Sequence, residues 1–212
     1  IGAAELPQLL VEARRALAAG QAMEAANAAR RALTVDSTHA ELNNLLATTL
    51  VIQGQNEAGI ASAERALRHH PDYALAHLNL GGIYFRLQQF EKAEQHLLRA
   101  IELDPQQASL HRRLADLYRT TQRPELAVES IRRASQLLPA SAALSYLLGM
   151  SQEQAGDESA AFASYRRASE LDPSLLEAWE RISALGEKIE PELGTVARAR
   201  LVVVVLLVVL LL

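Results

Sequence analysis

The 212-residue chain contains no cysteine, and Phe, Trp and Tyr together make up only 4 % of it. Without thiols there is no disulfide framework, no zinc ribbon, no iron–sulfur ligation and no cysteine nucleophile. Aromatic residues, and β-branched residues before position 201, are the side chains that suit a pleated sheet, so their scarcity argues against an all-β fold. A strong charge of one sign is also missing. The formal net charge is −4 with 22 % charged residues, which suggests neither a polyanion-binding tail nor disorder through self-repulsion. Short catalytic signatures are missing as well: there is no Gly-rich phosphate loop, no Gly-x-Ser-x-Gly elbow and no His-Glu-x-x-His helix. No catalytic residue is therefore assigned, no cofactor is implied, and the chain reads as non-enzymatic. What is abundant is Ala (38 residues) and Leu (37 residues), both strong helix formers.

That abundance is periodic. Pro71, Pro105, Pro139 and Pro173 recur at intervals of 34 residues, and one further step back lands on Ser37. The residues ahead of them rhyme, with Arg99-Ala100-Ile101-Glu102-Leu103-Asp104-Pro105 matching Arg167-Ala168-Ser169-Glu170-Leu171-Asp172-Pro173. Such a period accommodates one helical hairpin per unit. Leu80, Gly81, Tyr84 and Leu87 follow the 3, 4, 7 spacing of one helix face. Gln88 and Gln89 then occupy a turn where other units place Gly20, Gly54 and Gly156, a residue that accepts positive φ without steric cost. A second helix carries Phe90, Ala93, Leu97, Ala100, Ile101 and Leu103, and Pro105 stops it. Thr38, Asp72 and Ser174 stand where the next helix needs an N-cap oxygen.

On these residues the chain resembles the tetratricopeptide repeat family. One unit supplies Leu80, Gly81, Tyr84, Ala93, Leu97, Ala100 and Pro105, and the next Leu114, Ala115, Tyr118, Ala127, Ile131, Ala134 and Pro139. A third supplies Leu148, Gly149, Gln152, Ala161, Tyr165, Ala168 and Pro173. The resemblance implies an all-α fold, a right-handed superhelical solenoid of helix–turn–helix hairpins. The expected repeats are 6–39, 40–73, 74–107, 108–141 and 142–175, followed by a closing helix 176–190, with residues 1–190 forming the solenoid. A single hairpin leaves apolar surface exposed, and stacking hairpins buries a continuous core.

In this family the first helix of each repeat lines a concave face, and the residues implied as partner-binding are Asn44, Leu45, Thr48, Leu78, Asn79, Phe85, Arg112, Arg113, Asp116, Tyr146 and Met150. The same mapping places Arg14, Glu41, Arg119 and Glu153 there. Much of the lining is apolar, and a contiguous exposed apolar surface marks an interaction site; the alternative is that part of this lining packs beneath neighbouring helices. The arginines of the fourth repeat add a cationic wall suited to carboxylates, unless Arg113 is paired with Asp116 at helical spacing. A chaperone-type carboxylate clamp is not expected, because only Asn79 and Arg113 match its pattern and both of its lysines are missing.

Six His raise the question of a metal, but no two share i,i+4 spacing, and the expectation is no metal site. His77 and His111 are expected to replace a packing aromatic. Nucleic-acid binding is disfavoured by the negative charge and by arginines not interleaved with aromatics. The chain begins at Ile1 rather than Met, which reads as a fragment or a processed chain. At the other end, 191–212 reads as a linker and a tail whose last twelve residues, Leu201 to Leu212, are only Leu and Val. As a helix this run spans about 18 Å, short of the roughly 30 Å hydrocarbon core. It reads as a truncated membrane segment, an extra apolar helix or strand, or a placeholder for unidentified residues. Membrane association is expected only through it. A cytoplasmic location is favoured, with periplasmic and membrane-associated ones open.

The function expected is a protein-interaction scaffold that takes a peptide or a partner's helix in its groove. Two alternatives stay open: the recognition module of a larger enzyme of the glycosyltransferase or sulfotransferase type, and a self-assembling solenoid that forms homo-oligomers.

Overall fold

The computed structural model describes residues 3–189 together with Ala199, Val202 and Val203. Every regular element among the described residues is helical. A 3-10 turn at Ala3–Glu5 leads into α1 (Leu6–Ala18), followed by α2 (Ala22–Leu33), α3 (Ala40–Ile52), α4 (Asn56–His69), α5 (Ala74–Arg86) and α6 (Phe90–Leu103). The chain continues with α7 (Ala108–Thr120), α8 (Pro124–Leu137), α9 (Ala142–Gln154), α10 (Glu158–Leu171) and α11 (Leu176–Ile189). It divides into two compact units between Pro105 and Gln106. Unit 1 holds the hairpins α1–α2, α3–α4 and α5–α6; unit 2 holds α7–α8, α9–α10 and α11.

Each hairpin turns on one residue in the left-handed region. Gly20, Gly54 and Gly156 have φ of 74°, 78° and 84°, and the equivalent Gln88 and Gln122 adopt 58° and 57°. For the two glutamines this conformation costs about 1–2 kcal/mol. The second helices end in a repeated way. His70, Asp104, Leu138 and Asp172 each donate their N–H to Ala66, Ala100, Ala134 and Ala168 and leave the helix at φ between −133° and −139°. The prolines explain this, since each follows one of these residues and its ring excludes the helical conformation there.

Thr38, Asp72 and Ser174 are not the N-caps that the sequence suggested. The helices begin one residue later, so they lie in the preceding turn. Thr38 and Ser174 donate their N–H and hydroxyl to Asp36 and Asp172, holding both carboxyls below the usual range. Asp72 pairs instead with Arg99 at 2.6 Å. The observed N-cap oxygen at a first helix is Ser141, which accepts from the Leu144 N–H at 3.3 Å; His39 plays the part with a ring nitrogen on the Leu42 N–H at 3.4 Å.

A second recurring bond was not visible in the residue types. Asn43 donates to the Ser37 carbonyl at 2.9 Å, and Trp179 donates to the Pro173 carbonyl at 3.0 Å. His77 Nε2 lies 3.1 Å from the Pro71 carbonyl. Asn, His and Trp share little except a side-chain N–H of sufficient reach, and here each ties a first helix to the turn six residues upstream. His77 is thus more than a replacement aromatic. A carbonyl only accepts, so Nε2 carries the proton, and Nδ1 is left to accept from His96 Nδ1 at 3.0 Å. His96 also stacks on Tyr84, with ring centroids 5.6 Å apart.

The cores are thin and local. In unit 1, Leu9, Ala13, Ala29, Ala32, Leu42, Leu46 and Leu50 form one cluster. In unit 2 one cluster centres on Ala115, Ile131, Ala134 and Leu144, and another on Phe162, Tyr165, Ile182 and Leu185. Helices approach closely where one side is bare. A Cβ on Gly81 would meet Leu97 at 2.8 Å, and one on Gly149 would meet the Tyr165 ring at 2.7 Å. No helix among the described residues is long and apolar enough to cross a membrane. Of Leu201 to Leu212 only Val202 and Val203 are described, both helical and exposed, so the three readings of the tail lie outside the described residues.

Candidate partner-binding faces of the two units

The first helices of unit 1 are α1, α3 and α5. Their polar groups are joined to one another across repeats. Arg14 on α1 grips Glu41 on α3 with two nitrogens, Nη2 lying 2.6 Å from Oε2. Asn79 on α5 donates to Asn44 Oδ1 at 2.7 Å and to Thr48 Oγ1 at 2.9 Å, both on α3. Asn44 is buried by this arrangement. Three of the sequence-predicted binding residues therefore form one internal clasp, whose hydrogen-bonding capacity is largely used. Leu45 packs against the unit 1 core. Leu78 is partly buried; Phe85 is too, and meets Phe90 edge-on at 5.9 Å between centroids. Solvent-facing apolar groups on these helices are Val11, Ile52 and Leu75.

The first helices of unit 2, α7, α9 and α11, carry a different arrangement. Asp116 is a partly buried carboxylate facing Arg112, Arg113 and Arg119; burial raises its pKa, and the three guanidinium groups pull it back down. The pairing suggested from spacing, Arg113 with Asp116, is not the one formed. Asp116 lies 3.8 Å from Arg119 instead, three positions in the other direction along α7, and Arg113 is exposed. On α7 one carboxylate thus stands among three guanidinium groups, while Glu177 and Glu180 of α11 act on Tyr146.

Beside it lies a cavity of about 420 Å³, lined by Arg119, Tyr146, Met150, Glu153, Gln154, Tyr165 and Arg181. Its two arginines are in opposite states. Arg181 on α11 holds both oxygens of Glu153, and the Tyr165 hydroxyl donates to the same carboxylate at 2.8 Å. Burial raises the Tyr165 pKa, so the phenol stays a donor. Arg119 has no comparable acceptor. Its guanidinium partners are the Met150 sulfur at 3.9 Å and Asp116 at 3.8 Å, and its Nε is sealed from solvent with no partner. Gln154 closes the backbone beneath, donating to the Arg119 carbonyl at 3.1 Å. Tyr146 packs on Tyr165 with centroids 5.4 Å apart.

Tyr146 and Met150 were named from sequence and do line this cavity, whereas Arg181 was not, although it occupies the sixth place of the closing helix as Arg113 does of the fourth repeat. Extending the position mapping one helix further would have found it. No group of three or more His, Asp or Glu among the described residues is arranged to hold a metal ion.

The family pattern of the tetratricopeptide repeat matches residues 44–108 and 112–175. The chain belongs to the tetratricopeptide repeat family. Among solved structures, PilF of Pseudomonas aeruginosa is similar at TM-score 0.80 and 17 % identity, over 92 % of this chain and 90 % of that one. YrrB, titled a TPR protein with an unusual peptide-binding site, is similar at TM-score 0.73 and 19 % identity, over 84 % and 93 %. A MamA structure is similar at TM-score 0.68 and 20 % identity, over 80 % and 92 %. These likenesses are of fold: an all-α tetratricopeptide solenoid, the architecture that the resemblance implied. No curated protein matches the chain at a significant level.

Proposed function

We propose that the chain is a non-enzymatic interaction scaffold whose first-helix faces bind a peptide or a helix of a partner protein. The observation that carries this reading is the unit 2 face, where a ligand-sized cavity joins Tyr146 and Met150 to an arginine cluster that a single aspartate leaves uncompensated. Cavities of roughly 300–1,000 Å³ with apolar walls and a few placed polar groups suit such ligands. In unit 1, Leu78 and Phe85 supply apolar contact, while Asn44, Thr48 and Asn79 hold α3 and α5 in register. In unit 2, Arg112, Arg113 and Asp116 set the charge, with Tyr146 and Met150 as packing partners. Being a member of this family favours protein or peptide partners over small substrates, and YrrB offers a precedent for peptide binding on the same fold.

Selection of a random dodecapeptide library displayed on mRNA tests the reading. Enriched peptides are expected to bind the wild-type protein in calorimetry and to lose at least tenfold in affinity with Met150→Asp or Phe85→Asp, while circular dichroism stays helical. Absence of any enriched binder, or binders indifferent to both variants, overturns it.

A further inference from the structure

We propose that the unit 2 cavity is a receptor for one glutamate side chain of a partner segment, with Arg119 as its counter-ion and Tyr146 and Met150 as the walls along which the side-chain methylenes lie. This deepens the scaffold reading and rests on it.

The argument begins with unequal hydrogen-bond satisfaction inside one cavity. A guanidinium carries five N–H donors in a fixed planar fork. Arg181 and Glu153 meet as fork to carboxylate, the strongest geometry available to an arginine, and Tyr165 adds a further donor to the same anion. That group of three is internally complete. Arg119 stands in the same cavity with only 23 % of its side chain exposed. Its side-chain contacts are a thioether at 3.9 Å and a carboxylate oxygen at 3.8 Å, neither a full hydrogen bond. The Nε donor is buried without a partner. Partly desolvated cations are stabilised by an acceptor that arrives with a partner, and the acceptor that fits a planar fork is a carboxylate or a phosphate.

Three features favour a monoanionic carboxylate on an apolar stem. Only one guanidinium in the cavity, that of Arg119, lacks a carboxylate within hydrogen-bond distance, enough for one further negative charge. Glu153 lies in the same wall and Glu177 and Glu180 act on Tyr146, and these carboxylates repel a doubly charged group more strongly than a singly charged one. Of the remaining lining, Tyr146, Tyr165 and Met150 are apolar or amphipathic and Gln154 is polar, so an apolar stem fits along the rings and the thioether. A glutamate within a peptide meets these conditions without a chain end, because its two methylenes carry the carboxylate away from the backbone. The positive face formed by Arg112 and Arg113 would guide an acidic segment toward this anchor.

The test follows the Arg119 Nε–H resonance of the ¹⁵N-labelled full chain during titration with three N-acetylated tetrapeptides: Ac-Leu-Leu-Glu-Leu-NH2, its Gln isostere, and the Gln peptide with a free C-terminal carboxylate. The Glu peptide is expected to shift this resonance saturably and at least tenfold more tightly than either Gln peptide. Arg119→Lys, which keeps the charge and loses the fork, should weaken the Glu peptide about tenfold and leave the Gln peptides unchanged. An unmoved resonance, or equal affinity for the Gln isostere, overturns the proposal. Equal affinity for the free-carboxylate peptide overturns the choice of a side chain over a chain end. The wild-type titrations decide this even if the variant folds poorly. Failure here with display-selected peptides still binding overturns the Arg119 anchor alone, whereas failure of the scaffold reading itself shows as an absence of selected binders.

Discussion

Units 1 and 2 use the same hairpin and put polar residues at equivalent places on their first helices, yet the polar groups of the two faces are satisfied to different degrees. In unit 1 the groups find one another: Arg14 meets Glu41, and Asn79 bridges Asn44 and Thr48. In unit 2 no carboxylate comes within hydrogen-bond distance of Arg119. Glu153 is held by Arg181 and Tyr165, Asp116 faces three arginines, and Arg119 is left with a sulfur and a distant oxygen. Repeat architecture fixes where a side chain stands. Whether that place is closed from within or open to a partner depends on which residue occupies the matching place one repeat away.

The largest effect should come from removing the floor of the open cavity. Tyr165 is fully buried, so Tyr165→Ala is expected to cost about 3–5 kcal/mol, and Leu97→Ala in unit 1 about 2–5 kcal/mol. Hydrogen exchange should show protection lost mainly in α9–α11 for the first and in α5–α6 for the second. Uniform loss across both units would break the division between them. Next is the ion pair that closes half of the cavity. Glu153→Gln should destabilise by about 1–3 kcal/mol, because it leaves a partly buried arginine with one neutral amide oxygen in place of a bidentate carboxylate, and it should tighten acidic-peptide binding by removing a negative charge beside Arg119. The same change at Glu41 leaves Arg14, whose side chain is 56 % exposed, and should have the smaller effect on stability, because solvent screens the pair. Calorimetric unfolding and peptide titration of both variants check the pair.

A smaller effect is confined to unit 1. Burial and the adjacent His77 depress the His96 pKa to about 4, against about 6.5 in the unfolded chain. The unfolded state therefore binds more protons between these values, so stability is complete above about pH 6.5 and is lost as pH falls toward 4. The loss should be on the order of 1–2 kcal/mol after allowing for partial exposure, and His96→Phe should flatten it in urea titrations across that range. Smallest and equal in the two units is the turn correction. Gln88→Gly and Gln122→Gly relieve a left-handed conformation and should each stabilise by roughly 0.5–1 kcal/mol; a gain in one unit only would show that the turns are not equivalent.

The periodic layer of this molecule could be read from the residues. Proline spacing located the ends of α4, α6, α8 and α10, because proline acts on the residue before it whatever the tertiary setting. Gly20, Gly54 and Gly156 marked turns, since positive φ leaves few choices of residue; the gap at Gln88 and Gln122 was bridged by register alone. Small residues such as Gly81 and Gly149 signalled close helix approach. What escaped was which of several reachable partners each polar side chain takes. Thr38 looked like an N-cap because its hydroxyl is one residue from the right place, and only the observed start of α3 at Ala40 shows it bonding back to Asp36. Asn43, His77 and Trp179 share a tether that no similarity of side chain announces. Arg113 has an acid at helical spacing, yet Asp116 turns toward Arg119. The candidate site was half readable for the same reason: mapping the repeat selected Tyr146 and Met150, but which arginine lacks an acceptor depends on distances between separate helices.

The open state of the unit 2 face is most directly tested by mapping chemical shifts of the full chain bound to a display-selected peptide. Saturable shifts are predicted at the Arg119 side chain and at Tyr146 and Met150, with the Arg14–Glu41 pair and the Asn79 clasp intact. Shifts confined to α1–α6, with Arg119, Tyr146 and Met150 unmoved, would contradict the account.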